Sequence, residues 1–569
     1  MLALFVSWTI ISFILFTLGD ILIVLYNKVC KRNEEYNITD KLLLGLCALV
    51  IPLSISSLWF PSNENFLFIS ILICIIYWGI FRKRAYNLYS HNVKYITKSH
   101  LSTFETVLIF VFIIVSFYFF SWEQDVYDSL FYHHQNIRWN EEYAVVPGLA
   151  NLDDRLGFNS NYFLLSAIFT FRFLIGEAIY PLQSLIVTAI GCWILHQLFK
   201  SKYEIKRVVI LLAYILLYWL SIYFLRNTST DILPNFIVFY LIARIILQPH
   251  LLKSNYLTGI ILPVFLLTCK LSFFPIGLIS IYLLYYLIKE KKYKIIAFLC
   301  SIGLLIIIPW LIRNVIISGY IIYPFYQLDL FSFDWKVPKE IAIRHTGYIF
   351  DIGYYFFRIA VRYPHTSIRD PLAINILTDI TYIFSFLSLV YISYLIVKKR
   401  KGIQPHIYLL FAVFILSIIV WAKGGPDIRF VSGILCALIC LGTILFIRKR
   451  KSIILGGKII SSTFILSIAI WSSYCFLNFY SSDPNIFSHI LNRPYSSKDQ
   501  LKAKSIVLEK TFSVYNLNNN QYIWTTPDLS YDQLPATAAG HFSKFLPIEC
   551  LEARGYSLQD GFRAKEECK

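Results

Sequence analysis

Residues 295–312 read IIAFLCSIGLLIIIPWLI, an apolar run without a single charged side chain. A helix of about 20 such residues spans the hydrocarbon core of a bilayer, where no water can satisfy exposed backbone groups. Comparable blocks occupy residues 2–26 and 106–120. The whole chain of 569 residues is 57% hydrophobic and 15% charged, whereas soluble domains carry about a quarter charged residues. The sequence therefore predicts an all-α integral membrane protein.

Basic residues account for the net charge of +18, and they stand in short clusters between the apolar blocks. These clusters occupy residues 82–84, 200–207, 289–294, 398–401 and 448–451. Short loops rich in Lys and Arg mark the cytoplasmic side of a membrane protein, so the charge does not indicate a nucleic-acid partner. We reject a signal peptide at residues 2–26, because the block lacks a basic start and a cleavage site.

Placing every basic cluster on the cytoplasmic side predicts about 14 transmembrane helices with both termini outside. The predicted spans are residues 2–27, 42–60, 66–82, 104–121, 179–199, 207–225, 232–248, 257–270, 273–288, 295–317, 379–397, 406–422, 429–447 and 459–478. The same topology leaves two large loops and a C-terminal tail on the non-cytoplasmic side.

The chain is expected to divide into a polytopic membrane domain, residues 1–479, and an external C-terminal tail domain, residues 480–569, that forms a small cap. The first external loop covers residues 122–178 and the second large one covers residues 318–378. Amphipathic spacing predicts a surface helix over residues 129–143, followed by a second amphipathic stretch over 160–176. Among 11 cysteines only Cys550 and Cys568 lie in the tail, where an oxidising compartment either pairs them or leaves them free.

Three carboxylates in the first external loop are candidate catalytic residues: Asp128, Asp153 and Asp154. A carboxylate at the mouth of a helix bundle suits a general base toward an acceptor hydroxyl, and Asp128 is also a candidate ligand for a divalent metal, Mg²⁺ or Mn²⁺. The alternative for Asp128 is that it caps the helix beginning at Ser129. The alternative for the other two carboxylates is a solvated turn.

His133, His134 and Gln135 follow on the predicted surface helix and are candidate substrate-binding residues. Paired histidines beside a membrane more often serve interfacial packing or hydrogen bonding than catalysis, and this alternative stays open.

Several charged residues stand at the predicted outer ends of spans, where ionisable groups are costly and usually face a cavity. Lys270, Arg313 and Arg429 are candidates for binding a donor phosphate, because Arg offers a bidentate fork and Lys a point charge. Asp231 and Asp427 stand beside them and are candidate substrate-binding residues. The alternative, snorkelling toward nearby headgroups, accounts for Arg429 and Arg313 better than for Lys270.

The chain contains neither a P-loop nor a glycine-rich dinucleotide motif. Loops on the outer side have no access to cytoplasmic nucleotide sugars, so an enzyme acting there must take its activated group from a lipid carrier.

An outward acidic loop after an early span, surface helices and many spans together resemble the GT-C superfamily of membrane glycosyltransferases. More closely, the chain resembles a family of uncharacterised membrane proteins from bacterial polysaccharide loci. That resemblance rests on DSLFYHHQ (128–135), YAVVPGLANL (143–152), Asn159-Ser, Arg313-Asn, Ser318-Gly-Tyr, Tyr323-Pro, DWKVP (334–338), RGYSL (554–558) and Gly561-Phe-Arg. Three spans precede the loop-bearing one, and no Asp-x-Asp stands at the place where the superfamily carries it.

The resemblance implies a GT-C-like fold and a sugar transfer on the periplasmic face of the bacterial inner membrane, in cell-surface polysaccharide biosynthesis. The donor would be a lipid-linked sugar on polyprenyl phosphate, and the acceptor a glycan, a lipid or a protein. By analogy the catalytic carboxylate falls on Asp128. Two alternatives stay open: a polysaccharide polymerase, and a transporter or flippase of a lipid-linked substrate.

Overall fold

A computed structural model describes residues 1–34, 36–88, 90, 101–121, 126–362, 372–398, 404–447, 452–480, 512–527, 529–539 and 544–568. Residues 122–125 of the predicted first loop, 363–371 of the second and 481–511 of the tail therefore lie outside the described residues. The described part is mainly helical, and the chain is a multi-pass membrane protein.

Nine helical segments in the described part are long and apolar enough to cross a membrane. They are α1 (Leu2–Cys30), α2 (Ile38–Ser56), α5 (Thr103–Phe120), α10 (Pro181–Lys200), Leu271–Lys289 ending in α14 (Gly277–Lys289), α15 (Tyr293–Ser318), Ile374–Val397 within α17 (Leu372–Val397), α18 (Pro405–Gly424) and Ile454–Leu477 within α20 (Ile454–Tyr480). A tenth span arises if α3 (Glu64–Ile80) and α4 (Arg82–Leu88), bent by 89°, count as one.

Four further predicted spans correspond to helices of 14 to 16 residues. They are α11 (Ile205–Leu220), α12 (Ile232–Leu247), α13 (Tyr256–Cys269) and α19 (Ser432–Ile447). All but the last residue of α12 is buried, so α12 occupies the interior of the bundle. The predicted total of 14 spans stays a prediction, because these helices are shorter than the hydrocarbon core requires of an upright helix.

Helices α1 and α2 form the most closely packed pair in the bundle. Gly19 lies against the backbone of Lys41, and Gly45 lies against the backbone of Leu15, so no side chain fits at either glycine. The fully buried carboxylate of Asp20 accepts hydrogen bonds from Lys41, Tyr77 and Arg84, which also ties the bend after α3 to the pair. This network satisfies a buried charge, as burial requires.

The predicted surface helix of the first loop exists but is buried rather than surface-exposed. A π-helical turn, Ser129–His133, runs directly into α6 (His134–Glu142). Three short segments follow, α7 (Leu149–Leu152), α8 (Asn161–Ile168) and α9 (Arg172–Ile175). Every residue of α8 is buried, because it packs between α2, α6 and α13 instead of returning along an interface.

The described part of the tail contains five short strands. Strand β1 (Ser513–Asn516) pairs antiparallel with β2 (Tyr522–Thr525), which pairs in parallel with β3 (Ala536–Thr537). Strands β4 (Leu551–Ala553) and β5 (Phe562–Ala564) form a second, antiparallel sheet, and Cys550 is disulfide-bonded to Cys568. The cap is therefore a β structure on an otherwise helical protein.

The cap shares a hydrophobic core with the two large loops. Trp139 and Leu152 of the first loop, Tyr320 of the second and Phe562 of β5 belong to one buried cluster. Gly561 lies against the backbone of Pro147 at φ +86°, a conformation and a contact that exclude a side chain. The cap and the loops therefore form one packed layer over one end of the bundle.

Candidate functional site

A cavity of about 1610 Å³ lies beneath this layer, where α13, α15 and α18 end. Its walls are largely aromatic and include Tyr132, Phe158, Tyr323, Tyr348, Trp421 and Phe430. Its charged lining residues are Asp128, Arg155, Asp231, Lys270, Lys423, Asp427 and Arg429. Four cations and three carboxylates leave one net positive charge in an aromatic enclosure.

Arg429 connects two carboxylates in the cavity. Its Nη1 donates to Oδ2 of Asp128 at 2.7 Å, and its Nε donates to Oδ2 of Asp427 at 2.9 Å. Its guanidinium also lies over the rings of Phe224 and Phe430, at 5.0 and 5.7 Å. Burial lowers the pKa of Arg429, but the two carboxylates outweigh burial and hold that pKa above its usual value. The guanidinium therefore stays charged.

Asp128 does not cap the helix that follows it. Its backbone is already helical, and its side chain makes no capping hydrogen bond, whereas an N-cap residue is typically extended and accepts from the next turn. The contact with Arg429 joins residues 301 positions apart. Tertiary packing therefore turns Asp128 into the cavity.

Lys270 forms the second charged pair of the cavity. It is the residue directly after α13, it is ion-paired with Asp231, and its Nζ lies 3.5 Å from the centroid of the Phe430 ring. The ring of Phe430 therefore contacts both Lys270 and Arg429. Burial lowers the pKa of Lys270 well below its usual value, whereas the contact with Asp231 and the face of the Phe430 ring both favour the charged ammonium.

Asn235 of α12 fixes the two charged segments relative to each other. Its Nδ2 donates to the backbone carbonyls of Asp231, at 2.9 Å, and of Arg429, at 2.7 Å. Its Oδ1 accepts from the backbone N–H of Gly433 at 2.8 Å. Because the side chain is fully buried, losing it would leave backbone groups without partners.

His133 and His134 hold the turn that leads into α12. Nδ1 of His133 lies 2.9 Å from the carbonyl oxygen of Thr228, and Nε2 of His134 lies 3.0 Å from Oδ1 of Asn227. Burial lowers the pKa of His133 to about 3, so the ring is neutral. A carbonyl only accepts, so Nδ1 of His133 carries the proton. Neither histidine lines the cavity.

Gln135 and the acidic pair of the first loop contact the cap instead of the cavity. Nε2 of Gln135 donates to the carbonyl of Ala536 at 2.6 Å. Oδ2 of Asp154 accepts from the backbone N–H of Phe545 at 2.8 Å, and Oδ2 of Asp153 accepts from Thr537 at 3.5 Å. Burial, followed by the charge of Asp153, raises the pKa of Asp154 to about 7.

Arg313 lies behind the wall of the cavity. Its guanidinium donates to Oδ1 of Asn159, Oγ of Ser57 and Oδ1 of Asn140, at 3.2, 2.7 and 2.5 Å. Asn159 itself lines the cavity, whereas Arg313 does not. Five of the eleven predicted site residues therefore meet in the cavity: Asp128, Asp231, Lys270, Asp427 and Arg429.

Among the basic residues that line the cavity, Arg155, His345 and Lys423 were not among the eleven predicted site residues. The guanidinium of Arg155 lies over the rings of Phe131 and Tyr348, at 4.6 and 5.4 Å. Lys423 lies in the last turn of α18, and Nδ1 of His345 is hydrogen-bonded to the hydroxyl of Tyr323 at 3.0 Å. Burial lowers the pKa of His345 to about 3, with a further contribution from Arg155.

The sequence carries only weak signals for these three residues. Arg155 follows two aspartates in a stretch typical of a solvated turn, and its aromatic neighbours are distant along the chain. His345 and Lys423 stand in predicted external loops but carry no motif that separates them from other loop residues.

The described residues offer no ligand set for the divalent ion considered at Asp128. Among them, no three His, Cys, Asp or Glu side chains come together as a metal site requires. The cavity carboxylates contact Arg429 and Lys270 instead.

A family model described as a domain of unknown function, DUF8201, matches residues 1–436. No curated protein and no solved structure matches the chain.

Proposed function

The chain belongs to the DUF8201 family, and we propose from the geometry of its cavity that the protein is a membrane glycosyltransferase. It moves a sugar from a polyprenyl-phosphate-linked donor to a glycan, lipid or protein acceptor, on the outer side of the bacterial inner membrane. The observation that carries this proposal is that one cavity gathers Asp128, the cations Lys270 and Arg429, and aromatic walls.

The cations supply the binding site for the donor phosphate. Arg429 is fixed by two carboxylates and Lys270 by one, so both charges stand in place before a ligand enters. Arg155 adds a third cation to the same lining. Preorganised charges stabilise a leaving phosphate without reorganisation during the reaction.

Asp128 is the general base. The acceptor hydroxyl oxygen forms a bond to the anomeric carbon while the bond from that carbon to the phosphate oxygen breaks. The hydroxyl proton passes to the Asp128 carboxylate, and the bonding electron pair leaves with the phosphate oxygen, toward Lys270 and Arg429. The sugar inverts at the anomeric carbon, since attack and departure occur on opposite faces.

The aromatic walls provide the surfaces for the sugar and its carrier. Phe158, Tyr323 and Tyr348 line the cavity around Arg155 and His345. Aromatic faces combined with a few polar groups are typical of pockets that orient a ligand. The neutral His345 acts there as a hydrogen-bonding group and not as a further cation.

The test is Asp128→Asn in a strain whose chromosomal copy is deleted. We expect the strain with this variant to accumulate the same lipid-linked intermediate as the deletion strain, because the amide cannot accept the hydroxyl proton. Mass spectrometry of lipid extracts measures the intermediate, and immunoblotting of membranes checks that the variant inserts normally.

The matched control is Asp351→Asn, which removes one carboxylate from the exposed face of α16 (Lys339–Arg362) and should restore wild-type lipids. If Asp128→Asn also restores them, Asp128 is not the base. Shortened polysaccharide chains that keep the transferred residue would instead assign a polymerase.

A further inference from the structure

Residues 325–333, FYQLDLFSF, form an exposed apolar segment between α15 and α16, which we name the apolar tongue. Its exposed apolar residues are Phe325, Leu328, Leu330, Phe331 and Phe333. Leu330 is 68% exposed, which is more than most lipid-facing residues of the spans. Contiguous exposed apolar side chains mark a contact with another apolar phase.

The single charged residue of the tongue is neutralised. Asp329 is ion-paired with Lys336, whose Nζ also donates to the carbonyl of Phe331 at 2.7 Å. The same ammonium lies 5.0 Å from the centroid of the Tyr320 ring. The ion pair with Lys336 leaves the segment without a net charge of its own.

The tongue is fixed to the bundle at its base. The indole Nε1 of Trp335 donates to the carbonyl of Val315 at 3.2 Å, and the backbone N–H of Val337 donates to Ser318 at 3.0 Å. The rings of Phe333 and Trp335 stack at 4.4 Å, and Arg554 of the cap lies 4.6 Å above Trp335. The ring stack therefore runs from the apolar tongue to the charged cap.

The tongue adjoins the lipid-facing surface of a span. Exposed residues of the segment Leu271–Lys289 follow one face at helical spacing: Phe274, Ile281, Tyr285 and Ile288. Phe274 at the end of this stripe lines the cavity together with Phe325 and Leu328. Exposed apolar residues of the span and of the tongue thus border the same cavity.

We propose that the apolar tongue lies in the bilayer, at the boundary between headgroups and acyl chains at the cavity end of the bundle. Aromatic side chains favour this boundary, and the charged cap above Trp335 then lies in water. The mouth of the cavity opens at the membrane surface, where an amphipathic lipid enters directly. This membrane contact does not depend on the proposed sugar transfer and can hold if that proposal fails.

Spin labels at three exposed apolar positions test the proposal. Leu330→Cys lies in the tongue, Ile281→Cys on the lipid-facing stripe of the span, and Val514→Cys on β1 of the cap. The background is Cys300→Ser, which removes the exposed free cysteine. The protein is reconstituted in vesicles of phosphatidylcholine and phosphatidylglycerol, and EPR power saturation compares accessibility to oxygen with accessibility to a water-soluble nickel chelate.

We expect Leu330 to match Ile281 in favouring oxygen, and Val514 to favour the nickel chelate. If Leu330 matches Val514, the tongue faces water and the proposal is overturned. If the Leu330 label is immobilised and shielded from both reagents, a protein covers the tongue, which overturns the proposal as well. Because Leu330 is largely exposed, its substitution leaves the core intact.

Discussion

At the scale of single residues, Arg429 organises the cavity more than any other side chain described. Its guanidinium donates to both Asp128 and Asp427, and it lies over the rings of Phe224 and Phe430. Snorkelling toward headgroups, the alternative that explained Arg429 well from position alone, does not require such partners. The geometry instead indicates that the fork of Arg429 sets where the Asp128 carboxylate lies.

Replacing Arg429 by Lys tests whether this fork matters. A lysine keeps the charge but cannot donate to two carboxylates in a fixed plane, so we expect formation of the glycan product to fall about tenfold or more. Product is measured by glycan analysis of complemented deletion strains. The control Arg344→Lys makes the same change at an exposed position of α16; equal product from both variants would contradict a geometric role for Arg429.

At the scale of secondary-structure elements, the junction between α12 and α19 positions the charged segments. Gly433 lies directly against the backbone of Asn235, so α12 and α19 meet backbone against backbone at this point. The side chain of Asn235 then donates to the backbone carbonyls of both Asp231, which precedes α12, and Arg429, which precedes α19. A larger residue at either position would separate Asp231 from Arg429.

Gly433→Ala should destabilise the protein by about 1–3 kcal/mol, because the added methyl group overlaps backbone atoms that cannot move aside. Thermal unfolding in detergent measures the change. Gly79→Ala is the matched control, since no atom lies within 4 Å of the position of its added carbon, and there the melting temperature should be unchanged or slightly higher. Equal melting temperatures for both variants would show that α12 and α19 separate at little cost.

At the scale of the whole molecule, the cap and the first loop pack against each other and together form part of the layer above the cavity. Asp154 lies at this contact, facing Asp153 and Arg155 of the loop and Lys544 of the cap. Its pKa of about 7 exceeds the ordinary value of 3.8, so the folded protein binds a proton that the unfolded chain releases at lower pH. The contribution of Asp154 to stability is therefore full below about pH 4 and is lost as the pH rises toward 7.

Limited proteolysis of the cap between pH 5 and pH 8 measures this effect. We expect the wild-type cap to become more susceptible as the pH rises, relative to Asp154→Asn, whose side chain is neutral throughout. The comparison between the two proteins removes the contribution of all other titrating groups and of the protease itself. A constant ratio of the two cleavage rates across this range would show that Asp154 does not titrate at the contact.

Long apolar blocks and basic clusters predicted the membrane helices, because a span must be apolar along its own length and loops carry their charge locally. The nine qualifying segments each fall on a predicted span. Five predicted site residues likewise meet in one cavity, since costly charges at span ends converge where the ends converge. The spans and the placement of charged residues at their ends belong to short stretches of chain, so the sequence alone determines them.

Only the tertiary structure decided which charges face the cavity. Arg313, like Lys270, stands at the predicted outer end of a span. Its guanidinium nevertheless donates hydrogen bonds to Ser57, Asn140 and Asn159 instead of facing the cavity. The helix over residues 129–143 was expected at a surface, yet the cap covers it. The same packing brings the guanidinium of Arg155 over the rings of Phe131 and Tyr348. Partners that lie hundreds of residues apart leave no local pattern, so their pairing emerges only when the whole chain is folded.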